Sequence, residues 1–176
     1  LIRHAKSDWS GNVYDLQSGL NKRDYNSCKV ISEELKKRID KPDLFLISPA
    51  LRAQLTYENI FLNWDNKDNL LSIEEDLYHA SIDKIKKNLT SKVVGFNTVV
   101  VIGHNPILNS LMFQLSTKGH NKIPVNLVTC GVVIIEYSEN NFKAPVFTNG
   151  EVVDYIFPRM YTVSYTHLTL PTKVRV

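Results

Sequence analysis

Four residues carry the chemistry that this sequence can offer: Arg3 and His4 near its start, and Arg52 and His104 far downstream. Each lies after a short apolar run, with Arg52 and His104 beside small-residue or Pro-containing turns. The three segments are Leu1-Ile2-Arg3-His4, Leu46-Ile47-Ser48-Pro49-Ala50-Leu51-Arg52 and Val101-Ile102-Gly103-His104-Asn105-Pro106. Taken singly, each arginine reads as a surface charge and each histidine as a loop residue; their shared placement after apolar runs favours a joint function. Two guanidiniums and two imidazoles in one pocket repel one another unless an anion lies between them. The planar arginine fork donates two parallel hydrogen bonds, which suits a tetrahedral oxyanion. Helices beginning near Ser48-Pro49 and Asn105-Pro106 would add backbone N–H groups and positive dipole ends. The expected ligand is phosphate, with Arg3, Arg52 and His104 binding it. Ser7 and Asn105 are expected to line the same pocket, although both also suit a turn or a cap.

Such a pocket needs strands that end side by side. Leu44-Phe45-Leu46-Ile47 and Thr98-Val99-Val100-Val101-Ile102 are continuously apolar and bounded by turn residues, as buried strands are. Residues 26–39 place Cys28, Ile31, Leu35 and Ile39 at helical spacing. A second helix is expected after Ser48-Pro49, capped by Ser48, with Leu51, Leu55 and Phe61 on its apolar side. After a polar loop at 63–69 come a short strand near Leu70–Ile73 and a helix over 82–89. Ile107, Leu108, Leu111, Met112 and Leu115 mark another helix. Late strands are expected at Val132–Tyr137, Ala144–Phe147 and Val152–Phe157. The alternation predicts an α/β three-layer sandwich with a mostly parallel central sheet, whose site lies outside the carboxyl ends of the strands.

Composition narrows the classes. With 176 residues and 43% hydrophobic content, the chain suits one well-cored domain, expected over residues 1–160. No apolar run approaches the roughly 20 residues that span a membrane. The net charge of +3 is small, and basic and acidic residues interleave, so no nucleic-acid footprint is expected. Cys28 and Cys130 lie far apart in sequence without metal-ligand spacing, which reads as reduced thiols of a cytoplasmic protein. The first residue, Leu1, already sits in an apolar run, so upstream residues are expected to be missing and a signal peptide is left open. From Val163 the string VSYTHLTLPTKVRV has no acidic residue and no clean period. It resembles translated sequencing-adapter sequence, and residues 161–176 are expected to be a tail outside the domain.

The motifs resemble the histidine phosphatase superfamily, also called phosphoglycerate-mutase-like. They are Arg3-His4 after the first strand, Ser-Pro-x-x-Arg-Ala at 48–53, and Gly103-His104 after a later strand. LIRHAKSDW at 1–9, Leu20-Asn21-Lys22-Arg23, Leu77-Tyr78-His79-Ala80-Ser81 and GHNP look more narrowly like the SixA-type phosphohistidine phosphatases. The resemblance covers about residues 1–158 and implies a phosphoglycerate-mutase-like fold. It implies that His4 attacks phosphorus and becomes a transient phosphohistidine, while Arg3, Arg52 and His104 hold the equatorial oxygens. It implies no metal and no cofactor, since the arginines supply the positive charge. The expected partner is a phosphorylated substrate, foremost a phosphohistidine protein.

The sequence departs from that pattern in informative places. Where one branch carries an Asp proton donor after the second histidine, this chain has Asn105. Glu74, Glu75 and Asp76 lie near the region where another branch places a Glu, but without its motif; His79 is a further candidate donor. A donor matters most for an alkoxide leaving group and little for imidazole, so the pattern favours a phosphoramidate such as phosphohistidine. Asp24 replaces a usual Gly at a helix start, where an acidic residue is tolerated. His120 reads as a surface residue and His167 as part of the tail. Two alternatives stand beside the phosphatase reading. One is a small-molecule phosphomonoesterase or mutase, for which the short stretch between Thr56 and Val99 leaves little room for a cap. The other is a phosphate-binding module without turnover.

Overall fold

The run Leu44-Phe45-Leu46-Ile47 is buried along its whole length, as an interior strand covered on both faces must be. In the computed structural model, which describes residues 1–6, 15–65, 70–123, 125–138 and 149–161, it forms β2 (Leu44–Ile47) of a seven-stranded sheet. The other strands are β1 (Ile2–Arg3), β3 (Leu70–Ile73), β4 (Val99–Gly103), β5 (Ser116–Lys118), β6 (Val132–Glu136) and β7 (Gly150–Ile156). Their order across the sheet is β3-β2-β4-β1-β6-β7-β5. β2 runs parallel to β3 and β4, β4 parallel to β1, and β5 parallel to β7, while β6 is antiparallel to β1 and β7.

Successive strand residues point to opposite faces, and each face has its own helices. Phe45, Ile47, Val100 and Ile102 pack with Cys28, Ile31 and Leu35 of α1 (Lys22–Leu35) and Ala53, Ile60 and Phe61 of α2 (Leu51–Phe61). Leu44, Leu46 and Val101 pack on the other side with Leu77 of α3 (Asp76–His79), Ile85 and Leu89 of α4 (Ile82–Lys92), and Leu108, Leu111, Met112 and Leu115 of α5 (Ile107–Leu115). The result is the expected three-layer α/β sandwich. Each fully buried Leu, Ile or Phe contributes roughly 1.5–3 kcal/mol, so both layers are held mainly by burial.

Differences from the sequence reading have local causes. α1 begins at Lys22 because the Asn21 side chain accepts from the Asp24 N–H at 3.1 Å and starts the helix early. Ser48 does not cap α2; its hydroxyl is engaged elsewhere, Ala50 holds the cap position, and Leu51 is exposed. α3 is a four-residue helix too short to show a period, and β5 is a short strand of polar residues. β7 starts at Gly150, two residues before the expected strand. The strand expected at 144–147, the pocket residue Ser7 and the tail from 162 lie outside the described residues. No helix among the described residues is long and apolar enough to cross a membrane. A cavity of about 1050 Å³, lined by Leu1, Val99, Val100, Val133 and Ile135 among others, opens toward the amino end of β4. The charged cluster gathers at the other end.

Candidate active site

Sheet order sets the site. β2, β4 and β1 are consecutive and parallel, and Ile47, Ile102 and Ile2 lie in one row across them. The chain therefore leaves the sheet at three adjacent points. Ser48 N–H donates to the Ile102 carbonyl and His4 N–H to the Gly103 carbonyl, each at 3.0 Å, continuing the ladder past the last sheet residues. His4 and His104 each stand two positions beyond that row, on neighbouring strands. Strands lie about 4.8 Å apart, and the two rings meet with centroids 4.7 Å apart. Arg52, one residue into α2, and Arg3, at the end of β1, act electrostatically on both rings. The structure thus brings together Arg3, His4, Arg52 and His104.

His4 is fixed for one protonation pattern. Its Nδ1 lies 2.6 Å from the Ala5 carbonyl. A carbonyl can only accept, so Nδ1 carries the proton and Nε2 keeps its lone pair. Burial pushes the ring pKa down to about 4, with Arg52 and Arg3 adding to the effect and the Ala5 bond opposing it. His4 is therefore neutral at pH 7. The segment carrying it is pinned from both sides. Ala5 N–H donates to Thr56 Oγ1 at 2.9 Å, and Thr56 Oγ1 donates to the Arg52 carbonyl at 2.6 Å. The Cys130 N–H meets the carbonyls of Arg3 and His4 at 3.1 and 3.2 Å. Behind it, the free thiols of Cys28 and Cys130 lie 3.9 Å apart in the core, a proximity their sequence separation did not reveal.

His104 is the second imidazole of the pair. Burial pushes its pKa down to about 3, with further lowering from His4 and Arg52. Its Nε2 is 2.7 Å from Ser48 Oγ, the contact that occupies the hydroxyl expected to cap α2. In the tautomer in which Ser48 donates to Nε2, the ring proton lies on Nδ1. Nδ1 is buried without a partner among the described residues, as is Arg3 Nε. Arg3 Nη1 donates to the Leu127 carbonyl at 2.6 Å, and burial lowers the Arg3 pKa. Asn105 Nδ2 donates to the same carbonyl at 3.0 Å, so its amide nitrogen is occupied by the main chain.

Two groups at the mouth of the pocket escaped the sequence reading. Asp15, in a short 3₁₀ turn (Asp15–Gln17), pairs both carboxylate oxygens with Arg52: Nη1 to Oδ1 at 3.1 Å and Nη2 to Oδ2 at 2.9 Å. Arg52 Nη1 also donates to the Asp15 carbonyl at 2.6 Å. The Tyr78 hydroxyl donates to Asp15 Oδ2, and its ring stands edge-on to His104, centroids 5.4 Å apart. The hydrogen bonds from Arg52 and Tyr78 hold the Asp15 carboxyl below its ordinary range. No motif announces Asp15; Tyr78 lay inside the Leu77–Ser81 stretch, where it carried no assigned role.

The other candidate donors fall elsewhere. Glu74 is buried and receives Ser72 Oγ at 2.6 Å, Asn88 Nδ2 at 3.0 Å and the Lys92 ammonium. Burial opposes ionisation there, but those partners win and keep its pKa below the ordinary value. His79 is exposed with its ring against Tyr78. His120, expected at the surface, is half-buried, with Nε2 2.9 Å from Ser116 Oγ and its ring against Phe113. Among the described residues no cluster of three His, Cys, Asp or Glu side chains could hold a metal ion.

No family profile and no curated protein sequence matches the chain. Solved structures do. The structure of the protein histidine phosphatase SixA complexed with tungstate superposes with TM-score 0.74 at 19% identity, covering 90% of this chain and 96% of that one. The α-ribazole phosphatase of Shigella flexneri gives 0.60 at 14%, covering 86% and 92%. A mutant phosphoserine phosphatase of Entamoeba histolytica, in complex with phosphoserine, gives 0.54 at 13%, covering 88% and 93%. At these identities the likeness is one of fold, and the fold of this chain is the phosphoglycerate-mutase-like fold of the histidine phosphatases.

Proposed function

We propose that the chain is a phosphatase that transfers a phosphoryl group to His4 and then to water, with a phosphohistidine protein as its foremost substrate. The observation that carries this reading is the pairing of a neutral His4, lone pair on Nε2, with two buried nitrogens that lack partners among the described residues: Arg3 Nε, and His104 Nδ1, which is a donor when Ser48 donates to Nε2. An unsatisfied buried donor costs about 1–3 kcal/mol, and a phosphoryl oxygen at each removes that cost. The similarity in fold to a phosphatase complexed with tungstate, itself a tetrahedral oxyanion, supports the same reading.

The chemistry follows from the geometry. His4 Nε2 attacks phosphorus in line, forming the N–P bond as the bond to the leaving atom breaks. The positive imidazole that results is stabilised through Nδ1–H by the Ala5 carbonyl. Arg3 and Arg52 neutralise charge on the equatorial oxygens and the neutral His104 ring donates a hydrogen bond to them, as preorganised donors do; Asn105 keeps Arg3 company on the Leu127 carbonyl. Water then attacks phosphorus, the N–P electron pair returns to His4, and phosphate departs. No protonated carboxyl stands ready among the described residues: position 105 is an amide, Glu74 is held by Lys92, and Asp15 is held ionised by Arg52 and Tyr78. That favours a leaving group needing little help, such as imidazole.

The test is hydrolysis of a phosphohistidine peptide and of p-nitrophenyl phosphate by the protein and by a His4→Ala variant, with and without a metal chelator. Acid-labile, alkali-stable label on the protein after a rapid quench is expected, and the chelator is expected to change nothing. If the variant matches the parent on either compound, His4 is not the nucleophile.

A further inference from the structure

The Asp15 carboxylate is an odd neighbour for a site that must attract an anion. It lies at the mouth of the pocket with its side chain 43% exposed, against 8% for Arg52. An ionised carboxylate offers about four acceptor positions. Two are taken by Arg52 and one by Tyr78, which leaves Oδ1 able to accept one more N–H. Its charge reaches both His4 and His104. His4 attacks from the buried end, so the leaving group must face the open side, where Asp15 stands.

We propose that Asp15 is the specificity-determining residue of this site and selects phosphoryl groups attached to a protonated nitrogen, accepting a hydrogen bond from the cationic leaving group. The inference rests on the phosphatase reading above and refines it. In a phosphohistidine protonated at its second ring nitrogen, His4 Nε2 bonds to phosphorus as the P–N bond breaks. The P–N electron pair then flows into the departing ring, which becomes neutral imidazole without any proton donor. An ester behaves oppositely: its leaving oxygen gains negative charge in the transition state, beside a carboxylate already negative. Asp15 therefore favours the first substrate and penalises the second. Because the leaving group loses charge during the step, Asp15 acts mainly by binding, and its removal is expected to raise KM for the nitrogen-linked substrate more than it lowers kcat.

The experiment compares kcat/KM for three compounds: a phosphohistidine peptide, phosphoramidate (whose nitrogen is protonated in neutral solution) and p-nitrophenyl phosphate. In Asp15→Asn the ratio of each P–N compound to the ester is expected to fall about tenfold or more, the scale of one hydrogen bond to a charged group. Asp15→Glu, which keeps the charge, is expected to hold the parental ratio within about threefold. Equal losses on all three compounds, up to complete inactivity, mean that Asp15 only holds Arg52 in place, and overturn the proposal. A Glu variant with the ratio of the Asn variant overturns it as well. A parent protein that hydrolyses the ester but neither P–N compound defeats the phosphohistidine reading itself, and the role of Asp15 with it. A parent active on P–N compounds whose ratio survives Asp15→Asn defeats the Asp15 proposal alone.

Discussion

The floor and the mouth of the pocket are built by different means. On the floor, His4, Arg3 and His104 are placed largely by backbone: the β1–β4 ladder, the Ala5 and Leu127 carbonyls and the Cys130 N–H. At the mouth, Arg52, Asp15 and Tyr78 are placed by one another, through side-chain bonds around a half-exposed carboxylate. Backbone contacts within a packed core have little freedom, whereas an ion pair open to water is screened and easily exchanged. The floor thus suits the bond-making steps, which tolerate little displacement, and the mouth suits substrates that come and go.

Substitutions should expose that division, beginning with the floor. His4→Ala is expected to lower turnover by about 10⁴-fold or more, since it removes the proposed nucleophile; steady-state rates on either substrate check this. Arg52→Ala, which joins mouth to floor, is expected to cost on the order of 10²–10³-fold, read as a fall in kcat/KM. Acid should act on the floor first. His4 and His104 stay neutral down to about 4 and about 3, while in the unfolded chain they take up protons below about 6.5. The unfolded state binds more protons in that window, so stability is full above it and is lost as pH falls. Each histidine is expected to cost about 2 kcal/mol between pH 7 and 5, measurable by denaturant titration, and His104→Asn should roughly halve the loss. Thr56→Val strands the buried Ala5 N–H and should cost about 1–3 kcal/mol of stability, seen as a lowered Tm. At the mouth, Tyr78→Phe removes one bond to Asp15 and is expected to change kcat/KM by no more than about tenfold. A larger effect from Tyr78→Phe than from His4→Ala would erase the distinction between the two regions.

The floor was far more legible in the sequence than the mouth. Apolar runs ending in Arg3-His4, Ile47-Ser48 and Gly103-His104, two residues long in the first case and four or five in the others, mark strand ends by type and spacing alone, and parallel pairing made them neighbours. The mouth depends on where a 3₁₀ turn and a four-residue helix fall against α2, and neither is long enough to carry a period. Ser48 shows a subtler failure. Its position before a helix predicts a cap, but local preference gave way to His104, a partner 56 residues away. Cys28 and Cys130 meet in the core for the same reason: contacts between distant segments leave no trace in spacing.

One main-chain atom, the Leu127 carbonyl, serves both Arg3 and Asn105. Substitution replaces side chains and leaves carbonyls behind, so this acceptor passes unchanged through any codon change at 127 that keeps the loop in place. What keeps the loop in place is Asn109 of α5, whose amide donates to the Val125 carbonyl and Asn126 Oδ1 and accepts from the Leu127 N–H. Genetic fragility is thereby relocated. A lineage can drift at 127 within apolar residues, yet a single change at 109 would loosen both Arg3 and Asn105 at once.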